Sequence, residues 1–169
     1  MTVIEPLTER YLQTYIKMTV MTEENIIVKR LNELLGSHFT VMTYAWGCHW
    51  NVTGMGFKAA HDFLKDLYEA EQERVDATAE RIRALGGMAS ASIEEMERRT
   101  LISTTDASVN SRDMVSVWSN LARLWGSIIS IIANVHKSTA EDDIATRSFL
   151  ENMSEEMQKE LWMIMANLE

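Results

Sequence analysis

Apolar residues recur three and four positions apart through the first half of the chain. Ile27, Leu31, Leu34, Leu35, Phe39, Met42 and Ala45 line one face of a helix. The pattern predicts a helix from near Thr22, with Glu23 and Glu24 favourably placed in its first turn, to about Asn51. There the run Thr53-Gly54-Met55-Gly56 breaks it. A second pattern (Ala60, Leu64, Leu67, Val75, Ala79, Ile82) spans Phe57 to Leu85 and stops at Gly86-Gly87, where glycine accepts the left-handed conformation of a helix end. Ser92 and Glu95 have capping-box spacing and open a short helix to about Arg99. After the polar connection "STTDASVNS", a third long helix is expected from Ser111 to Lys137. A fourth follows Ser138 to Glu141, again with capping-box spacing, and runs to the chain end. Residues 1–21 form an N-terminal extension with room for another short helix, and residues 22–169 form the domain.

Four long amphipathic helices joined by two short connections and one long middle one describe an all-α, antiparallel four-helix bundle. The short extra helix lies in the long connection, about 88–110, which crosses the bundle. One proline and seven glycines in 169 residues suit long helices better than a many-turned β fold. The 12 methionines read as adaptable core filler.

Charge sharpens the picture. The net charge is −9, and Glu141 to Glu169 holds eight acidic and two basic residues, net −6. Met1 to Met21 carries Glu5, Glu9, Arg10 and Lys17, which sum to zero, so a basic nucleic-acid footprint is absent and no strong direct DNA binding is expected. An acidic surface attracts cations instead. The single Cys48 excludes an intrachain disulfide and fits a reducing compartment. With no signal-peptide core and no uninterrupted 18-residue apolar run, the expectation is a cytoplasmic location and no membrane association.

Four histidines are candidates for chemistry. His38 reads as a hydrogen-bonded histidine at the core edge, and His136 as a partner of a helix C-terminal dipole. On the second helix, His61, Lys65, Glu69, Gln72, Asp76 and Glu80 share one polar face. Asp76 and Glu80 are an i, i+4 carboxylate pair able to hold a hard cation, although a solvated charged face explains the same residues. His61 and Asp76 stand 15 residues apart, roughly 22 Å along one helix, and cannot share a metal within a chain. They meet only if the helix packs antiparallel against its own copy across a two-fold axis near residues 69–70. His61 of one chain then faces about residue 78 of the other, between Asp76 and Glu80, and His49 joins from the side of His61. Mixed imidazole and carboxylate ligands suit Fe(II) and its oxidation, with Zn(II) as a competitor. No histidine has Glu three residues before it, which disfavours an intrachain di-iron centre.

The stretches "HWNVTGMGFKAAH" and "VDATAERIRALGG" closely resemble the Dps family of mini-ferritins, and Leu161-Trp162 extends the likeness across residues 22–169. The resemblance implies a ferritin-like bundle assembled as a shell of twelve subunits, with iron-oxidising sites at the two-fold interfaces. Fe(II) would be oxidised by peroxide or O2 and stored as ferric mineral, limiting oxidative damage. Carried over by position, the ligands are His49 and His61 from one subunit with Asp76 and Glu80 from its neighbour. Trp50 lies beside the site, and Asp142 and Asp143 are pore acids. Two departures stand out: Lys65 occupies the place where the family has Asp, and neither terminus is a Lys/Arg-rich tail. Lys65 also allows a second reading, a cage with a degraded site that serves as a structural or divalent-metal-binding particle.

Overall fold

The protein was analysed as a computed structural model that describes residues 25–103 and 113–169. These residues form five helices: α1 (Ile26–Asn51), α2 (Phe57–Ala84), α3 (Ile93–Arg99), α4 (Met114–Ser138) and α5 (Ile144–Met165). The four long helices make the expected bundle, with α1 paired to α2 and α4 to α5, and α3 sits in the middle connection against α1. The expected starts near Thr22 and Ser111, and the extension 1–21, lie outside the described residues.

Local chemistry accounts for most of the helix ends. Asn25 caps α1 by accepting from the Ile27 amide, and Asp113 caps α4 by accepting from Ser116. Ser92 caps α3, while Glu95 reaches back to the Ala91 amide, one residue before the cap. Helix α2 closes in a Schellman motif: Gly86 has φ +80°, its amide bonds to the Arg83 carbonyl, and the Gly87 amide bonds to the Ile82 carbonyl. One start differs from expectation. Ser138 ends α4 instead of capping α5; the α5 cap is Asp143, whose carboxylate accepts from the Thr146 amide. The last helix also stops at Met165, before the chain end.

The core joins α1 residues Leu31, Leu34, Leu35 and Val41 to Leu64, Leu67 and Ile82 of α2. From the other pair come Trp118, Leu121, Leu124, Trp125, Ile128 and Ile132 of α4, with Leu150 and Met157 of α5. Helix α4 has the length and mean hydropathy of a membrane span despite its Ser and Asn interruptions, yet its large apolar side chains face this core.

The α2 stripe departs from the expected one. Val75 and Ala79 are only half-buried, and the face turned to the core runs Leu64, Leu67, Glu71, Arg74, Thr78, Ile82. Two charges thus occupy core positions. Arg74 Nη1 donates to Glu71 Oε1 at 2.9 Å, and its guanidinium grips both oxygens of Glu160 at 3.0 and 2.6 Å. Trp125 Nε1 donates to Glu160 Oε2 at 2.8 Å, and His38 Nδ1 lies 2.6 Å from Glu71 Oε2. All four long helices therefore contribute to one polar layer. Burial alone would lower the Arg74 pKa, but Glu160 and Glu71 outweigh it and hold the guanidinium above its ordinary value. His38 is wholly buried, not at the core edge, and its Nε2 has no partner among the described residues.

The crossover is fastened to a small, polar side of α1. Asn32 donates to the Met88 carbonyl and accepts from the Ser90 amide; Ser37 accepts from the Leu101 amide; Thr40 bonds Thr100. Gly36 lies among them, and a Cβ there would stand 2.7 Å from the Met96 carbonyl oxygen and 3.0 Å from the Thr100 nitrogen. Both neighbours are backbone, so Gly36→Ala is expected to destabilise the protein by about 1–3 kcal/mol despite alanine's better helix propensity. A lowered urea midpoint at unchanged slope would register this.

Candidate metal centre

The hairpin between α1 and α2 sets the site. Helix α1 ends two residues after His49, and Val52 closes it by donating to the Cys48 carbonyl. Gly54 (φ +112°) and Gly56 (φ +80°) take the left-handed conformations that reverse the chain into α2. His61, in the second turn of α2, is thereby brought back against His49.

The two imidazoles stack, with ring centroids 3.7 Å apart. His49 Nδ1 lies 2.8 Å from the His61 carbonyl oxygen, and His61 Nδ1 lies 2.9 Å from the His49 carbonyl oxygen. A carbonyl oxygen only accepts, so each Nδ1 carries the proton. In the neutral ring this leaves Nε2 as a lone pair, the state in which histidine binds a metal. The same bonds fix both ring orientations, as backbone carbonyls do behind metal-bound histidines. Cys48 next door is no competing ligand: it is fully buried, and burial pushes its thiol up to about 12.

Aromatic residues surround the pair. Tyr68 meets His49 edge-on at 5.3 Å, and Phe57 lies 5.1 Å from His61. Trp46 stacks obliquely on Trp50 at 4.7 Å and on Tyr68 at 5.9 Å. Trp50 is 62% exposed, so this apolar ground faces outward. Trp46 and Tyr68 were not singled out from the sequence; the four-residue spacing of the two tryptophans, which puts them on one helix face, is the signal that was there.

Asp76 and Glu80 lie on the exposed face of α2, away from the histidines of the same chain. Neither forms an ion pair with any described residue, and among the described residues no three His, Cys, Asp or Glu side chains of one chain converge on a metal position. By contrast, Asp62 and Glu69, two of the acids near His61 on α2, are occupied. Lys58 pairs with Asp62 and holds that carboxyl below its usual range, and Lys65 pairs with Glu69, which holds the ammonium above the usual lysine range.

The two candidate pore acids differ. Asp143 accepts from the Thr146 amide and hydroxyl and from Arg81 Nη2 at 3.0 Å, and the Thr146 bonds keep its pKa low. It is tied into the α5 cap and to α2, whereas Asp142 is exposed. His136, near the end of α4, bonds Glu151 of α5 at 2.8 Å.

Comparison with known proteins agrees with this architecture. The ferritin-like domain model matches residues 28–169. A DNA protection during starvation protein of Brevibacillus brevis is 26% identical over 149 residues, covering 86% of this chain and 97% of its own. One from Halobacterium salinarum is 35% identical over 104 residues, 60% of this chain and 56% of its own. The crystal structure of an archaeal Dps homologue from that organism superposes with a TM-score of 0.77 at 28% identity, covering 85% of this chain and 79% of that one. A Vibrio cholerae Dps, described as a member of a superfamily of ferritin-like diiron-carboxylate proteins, gives 0.79 at 24% identity over 85% and 89%. The chain belongs to the ferritin-like family, with DNA protection during starvation proteins among its sequence relatives and Dps proteins among its structural neighbours.

Proposed function

We propose that the protein is an iron-oxidising and iron-storing cage whose oxidation sites are completed between two copies of the chain. His49 and His61 of one copy and Asp76 and Glu80 of its partner hold Fe(II) as substrate, with Trp50 beside them. Peroxide or O2 accepts the electrons, and ferric mineral is kept inside a shell of twelve subunits in the cytoplasm. Asp142 is the better of the two candidate pore acids, since Asp143 is engaged in capping α5. The acidic chain is not expected to bind DNA strongly by itself.

The observation that carries this reading is the locked histidine pair. Each of the two stacked rings keeps its Nε2 lone pair, and the chain that supplies them offers no third ligand among its described residues. Such a half-site makes chemical sense when a second copy brings the rest. The exposed Trp46, Trp50 and Phe57 provide the apolar ground on which that copy can pack.

The test is to add Fe(II) anaerobically to the assembled protein, then peroxide or O2, while following ferric absorbance and particle size. Rapid ferric formation inside a soluble particle, reduced to background by His49→Ala with His61→Ala, is the expected result. Background-rate oxidation by the wild type would sink the reading and leave the second one, a cage that holds divalent ions such as Zn(II) without redox turnover. The Lys65–Glu69 pair beside the histidines is the observation that favours this second reading.

A further inference from the structure

We infer that each site accepts one divalent cation and not two, because Lys65 takes the place of the second. This inference rests on the intersubunit reading above and refines it. Three observations carry it.

First, two carboxylates of the histidine-bearing helix flanking the His61 face are already neutralised, while Asp66, which forms no ion pair with a described residue, lies about 140° round the helix. Lys58 holds Asp62, and Lys65 holds Glu69. Neither acid is left to balance an incoming cation without first losing its ammonium partner. Second, Lys65 follows His61 by four residues, so its side chain rises from the same face of α2, about 6 Å away in Cβ terms. Paired to Glu69, the Lys65 ammonium fills the ground one turn beyond the imidazoles, and a second dication there would have to displace it against charge repulsion. Third, the carboxylates that form no ion pair among the described residues of this face are Asp76 and Glu80. Together they bring a charge of −2. One Fe(II) with two neutral imidazoles balances this completely. A second Fe(II) would leave the site doubly positive in a closed interface, where uncompensated charge is costly.

The consequence concerns electrons. A single Fe(II) yields one electron, while reduction of peroxide to two waters consumes two, with two protons. A one-cation site therefore completes that reaction only when a second Fe(II) bound elsewhere on the particle supplies the second electron; one electron alone leaves peroxide as hydroxide and hydroxyl radical.

The experiment is an anaerobic titration of the assembled protein with Co(II), a coloured stand-in for Fe(II), repeated with Fe(II) by calorimetry. Wild type and Lys65→Arg should both saturate the tight phase at about one equivalent per chain, and Lys65→Asp, which exchanges the cation for a carboxylate, at about two. Two equivalents in the wild type, or one in Lys65→Asp, would overturn the inference. A tight phase that survives His49→Ala with His61→Ala would overturn the intersubunit reading itself, so the two failures are distinguishable. Lys65 is exposed on α2, and a circular dichroism melt confirms that each variant is folded.

Discussion

Arg74→Met is expected to lower the stability of the protein by about 3–5 kcal/mol, a loss of helical signal some 6–20 °C earlier on heating. The guanidinium is the centre of the buried layer, and its removal leaves the Glu71 carboxylate wholly buried with only His38 beside it. Glu160 would keep only Trp125. The cost is mainly that of stranding charge in the core, not of losing attraction between exposed ions, which is worth far less. Replacing the three charged members with apolar side chains (Glu71→Leu, Arg74→Met, Glu160→Leu) should recover only part of the loss: no unpaired charge then remains, but buried His38 and Trp125 lose their acceptors. Melts must be compared at one protein concentration, since assembly adds to apparent stability. A single variant that loses under about 1 kcal/mol would show the layer to be hydrated or relaxed.

Two variants that are each inactive are expected to restore activity when co-assembled. One carries His49→Ala and His61→Ala; the other carries Asp76→Ala and Glu80→Ala. If the ligands of a site come from different copies, every site in either pure variant is broken. After unfolding and refolding together in equal amounts, a site is intact when intact histidines meet intact carboxylates, which random pairing provides in about a quarter of sites. Ferric formation near a quarter of the wild-type initial rate is the expected result. Co-assembled particles that remain at background would mean that one chain needs all four residues itself, against their separation of roughly 22 Å along α2.

The bundle and the histidine pair were legible in the sequence, while the charged layer and one helix start were not. Gly86-Gly87 announced the end of α2 because a left-handed residue there is a backbone requirement that few residues meet. Ser138 to Glu141 misled because Asp143, three residues before Thr146, offers the α5 amides a better acceptor and is itself braced by Arg81. Glu71 and Arg74 escaped notice because charged residues on a helix are usually solvated. Their register with Leu67 and Ile82 at three- and four-residue steps was the available signal. Lys65 was visible as a departure from the family pattern, but its pairing with Glu69 required coordinates. The proton positions on His49 and His61 are likewise invisible in the sequence, since they follow from two carbonyl contacts across the hairpin.

Those contacts have a consequence for the proton inventory of the molecule. With both Nδ1 protons committed to carbonyl oxygens, a cation arriving at Nε2 evicts no proton from either neutral imidazole. For the neutral rings, any acid set free on metal binding would come from the hydration shell of the ion and from hydrolysis of an oxidised product.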